Sequence, residues 1–177
     1  MSSSSIPRES FKTARGYKYS FLYCPSAGAK PTLLLIHGWP SHAEDWLYQI
    51  RYFRAKGYGL LVPDMLGYGA SSSPPDTADY RLKCLCDDIV QLLNHRQLSK
   101  VVGIGHDWGA TILSRFAVYY PERLEATAFL GIGPACPGAP FDLDAINEAT
   151  QKATGTEMLG YISYISRDGA APPMMEK

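Results

Sequence analysis

Val101-Val102-Gly103-Ile104-Gly105-His106-Asp107-Trp108-Gly109-Ala110 runs from an apolar strand, through a crowded turn, into an amphipathic helix, with a carboxylate at the apex. A sharp strand-to-helix turn needs small residues on both sides of its tip. Gly105, Gly109 and Ala110 supply the order small, X, nucleophile, X, small, small. The pattern predicts a nucleophile elbow with Asp107 where a serine more often stands. A serine must lose its proton to a neighbouring base before it attacks, whereas a carboxylate, with an ordinary pKa of about 4, is already an anion at neutral pH. Asp107 is therefore expected to attack an sp3 carbon directly and to leave an alkyl ester on the protein. Such chemistry suits epoxides or alkyl halides and disfavours ordinary esters and amides.

Two other readings compete for the same residues. An Asp at the start of a helix can simply cap the first N–H groups, which stabilises a helix by about 1 kcal/mol. The spacing of Gly103, Gly105 and Gly109 also approaches a dinucleotide-binding loop. That loop, however, places its third glycine one residue earlier, where Trp108 stands, and Asp107 would repel a pyrophosphate.

The composition narrows the partners. The chain has 177 residues and is 46% hydrophobic, enough to bury a substantial core in one globular domain. Lys plus Arg and Asp plus Glu both number 17, so no basic field attracts nucleic acid or an anionic membrane surface. A neutral small molecule fits better. The N-terminal Met1 to Pro7 lacks the apolar stretch of a secretory signal, and no run reaches the ~20 apolar residues of a membrane span. The expectation is a soluble, cytoplasmic protein. Cys24, Cys84, Cys86 and Cys136 have no zinc-like spacing and the four histidines are scattered, so neither a metal nor another cofactor is expected and the thiols read as reduced and structural.

Working outward from the elbow, strands and helices alternate. Residues 11–14 and 17–24 read as an edge hairpin turning at Arg15-Gly16. The continuous apolar run 32–36 reads as a central strand covered on both faces. A helix is expected over 44–56, a buried strand over 58–63, and a Ser/Pro-rich loop over 71–78. Leu82, Leu85, Ile89, Leu92 and Leu93 have helical spacing, with an end near His95. A strand over 101–105, a helix over 109–120 and a strand over 126–132 complete the set. This order indicates an α/β fold with a mostly parallel sheet, helices on both faces, and ligands beyond the carboxyl ends of the strands.

Two loops at those ends add to the elbow. His37-Gly38-Trp39-Pro40 follows the buried strand. Gly38 and Pro40 could serve only to redirect the chain. Alternatively, the turn aims the backbone N–H of Trp39 into the space above Asp107, where it joins that of Trp108 to form an oxyanion hole, while both indoles line an apolar pocket. His37 reads as a turn residue bonded to backbone rather than as a base, and His42, His95 and His106 make no better bases. Asp64 to Ser71 is a glycine-rich turn of weak specificity.

Together, His37-Gly38-Trp39-Pro40, Asp64 to Ser71 and the Gly105 to Ala110 elbow resemble the α/β-hydrolase superfamily, in its soluble epoxide hydrolase branch. The resemblance covers nearly the whole chain and implies an α/β-hydrolase fold. By this similarity Asp107 is the nucleophile, Trp39 and Trp108 give the oxyanion N–H groups, and the full-length family converts epoxides to vicinal diols through the Asp107 ester. The resemblance also divides the chain. Residues 1–133 would form the N-terminal part of the core domain and 134–177 the beginning of a helical cap, leaving the core at around Pro134 to Asp142. Gly160-Tyr161-Ile162-Ser163-Tyr164 matches the family's first cap tyrosine at Tyr161, a phenol able to protonate the opening epoxide oxygen. Spacing alone reads Tyr161 and Tyr164 as packing residues one helical turn apart.

In the family, the hydrolytic histidine, its acid partner and a second cap tyrosine follow the cap. On that basis the fold is expected to be incomplete at its C-terminus, the ester to persist, the chain to be inactive or single-turnover, and the last strand to present an apolar edge. The alternatives are a haloalkane dehalogenase-like hydrolase, and a noncatalytic truncated remnant that binds an apolar ligand or partner. A dinucleotide-binding oxidoreductase ranks behind these.

Overall fold

The computed structural model describes residues 6–134, 138 and 141–166. They form strands β1 (Arg8–Lys12), β2 (Lys18–Cys24), β3 (Thr32–Ile36), β4 (Gly59–Pro63), β5 (Val101–His106) and β6 (Leu124–Leu130). The α-helices are α1 (Leu47–Ala55), α2 (Leu82–His95), α3 (Trp108–Tyr119), α4 (Leu143–Thr154) and α5 (Gly160–Ile165). The sheet order is β1-β2-β4-β3-β5-β6. β1, β2 and β4 pair antiparallel, whereas β3 pairs parallel with β4 and β5, and β5 with β6.

β3 shows why the sheet lies between two layers. All five of its residues are buried. Successive side chains point to opposite faces, so Leu34 and Ile36 join Leu85, Ile89 and Leu92 of α2 and Leu113 and Phe116 of α3. Leu33 and Leu35 meet Trp46 and Ile50 on the other side. An uninterrupted apolar run is what a strand with two dry faces requires.

β5 is built differently. Gly103 and Gly105 alternate with Val102 and Ile104, so the face toward α3 carries almost no side chain. The space goes to the helix. A Cβ at Gly105 would lie 2.5 Å from the Gly109 carbonyl oxygen, and one at Gly103 would strike Leu113. α3 therefore rests directly on the strand that launches it.

Several boundaries differ from those expected. β1 covers Arg8–Lys12, not 11–14, because Thr13 and Tyr17 close a turn (N–H to O, 2.9 Å) that withdraws residues 13–17 from the ladder. The helix expected over 44–56 opens as a 3-10 segment, Ala43–Trp46, where His42 and Asp45 form a reciprocal capping box. The loop over 71–78 leads into another 3-10 segment, Thr77–Tyr80, capped by Asp76. The last strand spans Leu124–Leu130 rather than 126–132, since Gly131 turns the chain at φ 79°. β6 is an edge of the sheet, with Leu130 and Ile132 exposed.

The chain divides into two compact units, Met1–Ala135 and Cys136–Lys177. In the second, α4 is capped by Asp142, whose side chain accepts from the Ala145 N–H, and stops at Gly155 in the left-handed region. Asn147 and Thr150 accept the N–H groups of Leu159 and Met158, tying the connection to α5 back onto α4. Of the expected cap entry over 134–142, residues 135–137, 139 and 140 lie outside the described residues, as does Cys136. Cys24, Cys84 and Cys86 are free thiols, and burial pushes that of Cys86 up to about 12. Among the described residues no helix is long and apolar enough to cross a membrane.

Leu34 belongs to the core cluster that holds residues of α2 and α3 and has no exposed surface. Leu34→Ala is expected to lower the unfolding free energy by about 2–5 kcal/mol, checked by urea titration.

Candidate active site

Asp107 lies between the end of β5 and the first turn of α3, with φ 54° and ψ −126°. A residue with a Cβ rarely adopts this conformation, which costs on the order of 1–3 kcal/mol and persists only where the surroundings impose it. Two glycine contacts impose it here. A Cβ at Gly109 would strike the carbonyl oxygen of Ile36, and one at Gly38 would strike the Asp107 carboxylate. The end of β3, the loop after it and the start of α3 thus meet with no room for a side chain. The Asp107 N–H donates to the Leu130 carbonyl (3.2 Å), and its own carbonyl accepts from the Ala110 N–H (2.9 Å).

The side chain does not cap α3. The stabilising role that competed with the nucleophile reading is thereby excluded. Instead Oδ1 of Asp107 accepts the backbone N–H of Trp39 at 2.9 Å. The loop of residues 37–40 therefore brings Trp39 to the carboxylate, as its position after β3 suggested, and the Trp39–Pro40 peptide bond is cis. Trp108 is the first residue of α3, next to the carboxylate in sequence, with a partly exposed indole. Tyr161 belongs to α5 in the second unit, where neither it nor Tyr164 is buried.

His37 is a structural residue of this loop. Its Nδ1 pairs with the Gly38 carbonyl (2.8 Å), and its Nε2 accepts the Met65 N–H (2.9 Å). An imidazole that donates from one nitrogen and accepts at the other is neutral. Burial also holds the His37 pKa below the ordinary histidine range. Nδ1 fastens the ring within the loop after β3, Nε2 joins it to the loop after β4, and the ring packs edge-to-face on Tyr68.

Sequence reasoning did not single out Asp64 as the centre of this region. Its buried carboxylate accepts the N–H groups of Ala43 (2.9 Å) and Ala70 (3.0 Å) and pairs with Arg8 at 2.6 Å. Its carbonyl accepts the Ser71 hydroxyl at 2.7 Å. A Cβ on Gly69 would run into the same carboxylate, which accounts for one glycine of the 64–71 turn. Arg8 also pairs with Glu44, so β1, the 3-10 segment and the 64–71 turn are tied at one point. The signal was an Asp directly after a buried strand, followed by a glycine-rich turn. Arg8 lies too far away in sequence to be linked to it.

The remaining histidines have other surroundings. His42 caps the 3-10 segment, His95 stacks on Phe11, and His106 meets Trp46 edge-to-face. Among the described residues, none of the four hydrogen-bonds Asp107, and none gathers with Cys, Asp or Glu into a group able to hold a metal. A recess of about 270 Å³ opens beside the elbow, bounded by Gly38, Trp108, Ile112, Leu82 and Leu85.

Asp64→Ala removes a buried anion from three donors and is expected to cost about 3–5 kcal/mol in urea unfolding. His37 adds a pH dependence of defined sign. Its neutral form is the folded one, so its contribution is complete above the unfolded imidazole pKa of about 6.5 and is lost as pH falls toward the depressed folded value. The stability difference between wild type and His37→Gln should therefore narrow as pH falls below the unfolded imidazole pKa of about 6.5.

Comparison with known proteins agrees with the fold. The family model for the alpha/beta hydrolase fold matches residues 31–172. Bifunctional epoxide hydrolase 2 of Sus scrofa is 42% identical over 119 residues, covering 67% of this chain and 21% of that protein. Epoxide hydrolase A of Mycobacterium tuberculosis is 35% identical over 165 residues, covering 93% of this chain and 49% of that one. The crystal structure of Epoxide Hydrolase A from Mycobacterium thermoresistibile superposes with a TM-score of 0.75 at 31% identity, over 97% of this chain and 52% of that structure. The chain thus spans between about a fifth and about half of the length of these relatives. With the family model covering most of its length and epoxide hydrolases among its relatives, the chain belongs to the α/β-hydrolase fold family.

Proposed function

We propose that this chain carries the nucleophilic half of an epoxide hydrolase site, and that its substrate is a small apolar epoxide. The observation that carries this reading is the Asp107 carboxylate, held on a strained elbow and touched by the Trp39 N–H at 2.9 Å. A lone pair of the carboxylate attacks one ring carbon. The C–O bond of the epoxide breaks, and the departing oxygen becomes an alkoxide that takes up a proton. Tyr161 is the proposed donor, since a phenol of ordinary pKa near 10 is protonated at neutral pH.

The product of this step is an alkyl ester of Asp107 in place of a carboxylate. Hydrolysis of that ester builds negative charge on its carbonyl oxygen. The backbone N–H groups of Trp39 and Trp108 are the proposed donors to that oxygen, a role for which fixed dipoles are well suited because they need no reorganisation. Hydrolysis also needs a base to activate water. His37 cannot serve, because both ring nitrogens are held by backbone. In this reading Asp107 forms the ester and the two backbone N–H groups stabilise the oxyanion, and among the described residues no side chain is assigned as the base that activates water. Halide release, the other chemistry open to a carboxylate nucleophile, has less support, because the relatives are epoxide hydrolases.

The test is to incubate the 177-residue chain with phenyloxirane and record intact mass and diol together. Wild type should gain the mass of one epoxide with little diol, and Asp107→Asn should gain none. Equal labelling of the two proteins would refute Asp107 as nucleophile, and multiple turnover would show that a base is present.

A further inference from the structure

We infer that the recess beside the elbow is the subsite for an uncharged apolar substituent on the epoxide, and that Tyr80, Leu82 and Ile112 set its length. The inference rests on the reading of Asp107 as the nucleophile. It adds what that reading leaves open, namely which epoxides the site selects.

Position comes first. The recess is bounded by Gly38, in the loop after β3, where a Cβ would strike the Asp107 carboxylate, and by Trp108, the first residue of α3 and the next residue after Asp107. A group attached to an epoxide carbon under attack by Asp107 lies next to this opening. From there the walls are apolar: Leu66, Leu82, Leu85 and Ile112 come from the 64–71 turn, the start of α2 and the first turns of α3. No Asp, Glu, Lys or Arg lines it.

His37 and Tyr80, two of the polar side chains that line it, are already engaged. His37 turns both ring nitrogens to backbone partners. Tyr80 donates its hydroxyl to the Pro74 carbonyl at 2.8 Å, which turns its ring toward Gly67. A Cβ at Gly67 would lie 2.9 Å from that ring, so Gly67 is what lets Tyr80 close the wall. A substituent that enters therefore finds hydrocarbon and ring surface. A carboxylate or ammonium at that end would lose its hydration without a partner, which excludes charged substituents.

Volume sets the size class. An apolar cavity of about 150 Å³ is known to hold benzene. At about 270 Å³ the recess holds one aryl ring with a short extension, or an alkyl group of similar bulk. The preferred substrates are thus terminal epoxides with one such group, and a long acyl chain does not fit.

Two measurements test this on the full chain. The first is the ratio of alkylation rates for phenyloxirane and methyloxirane, read by intact mass. Leu82→Trp shortens the recess and should lower the phenyl-to-methyl ratio about tenfold or more, since one methylene in an apolar pocket is worth about 10- to 200-fold. Tyr80→Ala lengthens it and should raise the ratio for 4-butylphenyloxirane over phenyloxirane. A merely structural loss slows each pair of epoxides alike and leaves both ratios unchanged, which would overturn the proposal. The second measurement needs no reaction. On addition of 1-phenylethane-1,2-diol, the methyl NMR signals of Ile112, Leu82 and Leu85 should show ring-current shifts. Shifts without alkylation would uphold the recess and refute Asp107, whereas alkylation without shifts would refute the recess and leave Asp107 standing.

Discussion

The close approach of three backbones around Asp107 is the constraint on which the rest of the site depends. Gly109 lets α3 touch the carbonyl of Ile36 at the end of β3, and Gly38 leaves space for the carboxylate itself. With those contacts made, Asp107 has little choice but its positive φ, and the Trp39 N–H falls within hydrogen-bond distance of Oδ1. The strain is offset by packing elsewhere. β3 is buried at all five residues, and Leu113 of α3 fills the face that Gly103 leaves bare. A rigid strand-to-helix junction is thus supported by the core of the sheet, which is how an anion can be kept in a fixed place without a capping bond.

A second tier holds the loops around that junction. Asp64 collects the Ala43 and Ala70 N–H groups and Arg8, while His37 links Gly38 to Met65. Each of these side chains supplies partners to backbone groups that would otherwise lack them in the interior. Burial of an anion is tolerated because it is paired and hydrogen-bonded at once. Burial of the imidazole is tolerated because it stays neutral. The walls of the recess depend on this tier, since Leu66 and Gly67 belong to the turn that Asp64 and His37 fasten.

What could be read from the sequence was local. The elbow at Asp107, the central strand over 32–36, the helix over 82–95 and the Trp39 turn follow from spacing, small residues and apolar runs within about ten positions of each other. The α/β class followed from the alternation of these elements. The parts that escaped are those joining distant segments. Arg8 lies on β1 and Asp64 directly after β4, two strands that do not pair with each other, and nothing in either neighbourhood announces the other. The first strand begins at Arg8 rather than at residue 11, and Tyr17 closes a turn with Thr13 that apolar alternation does not reveal. The recess was legible only in part: Trp108 was an expected lining residue, whereas Tyr80, Leu82 and Ile112 reach it from three elements that only the fold brings together.

The most direct test of the central claim is to locate the bond that forms. After treatment with phenyloxirane and trypsin, the peptide Val101 to Arg115 should carry a hydroxyphenethyl group, and fragmentation should place it on Asp107 as an ester that hydroxylamine removes. A hydroxylamine-stable modification on His106, or labelling confined to Cys84 or Cys24, would mean that the strained carboxylate is not the nucleophile.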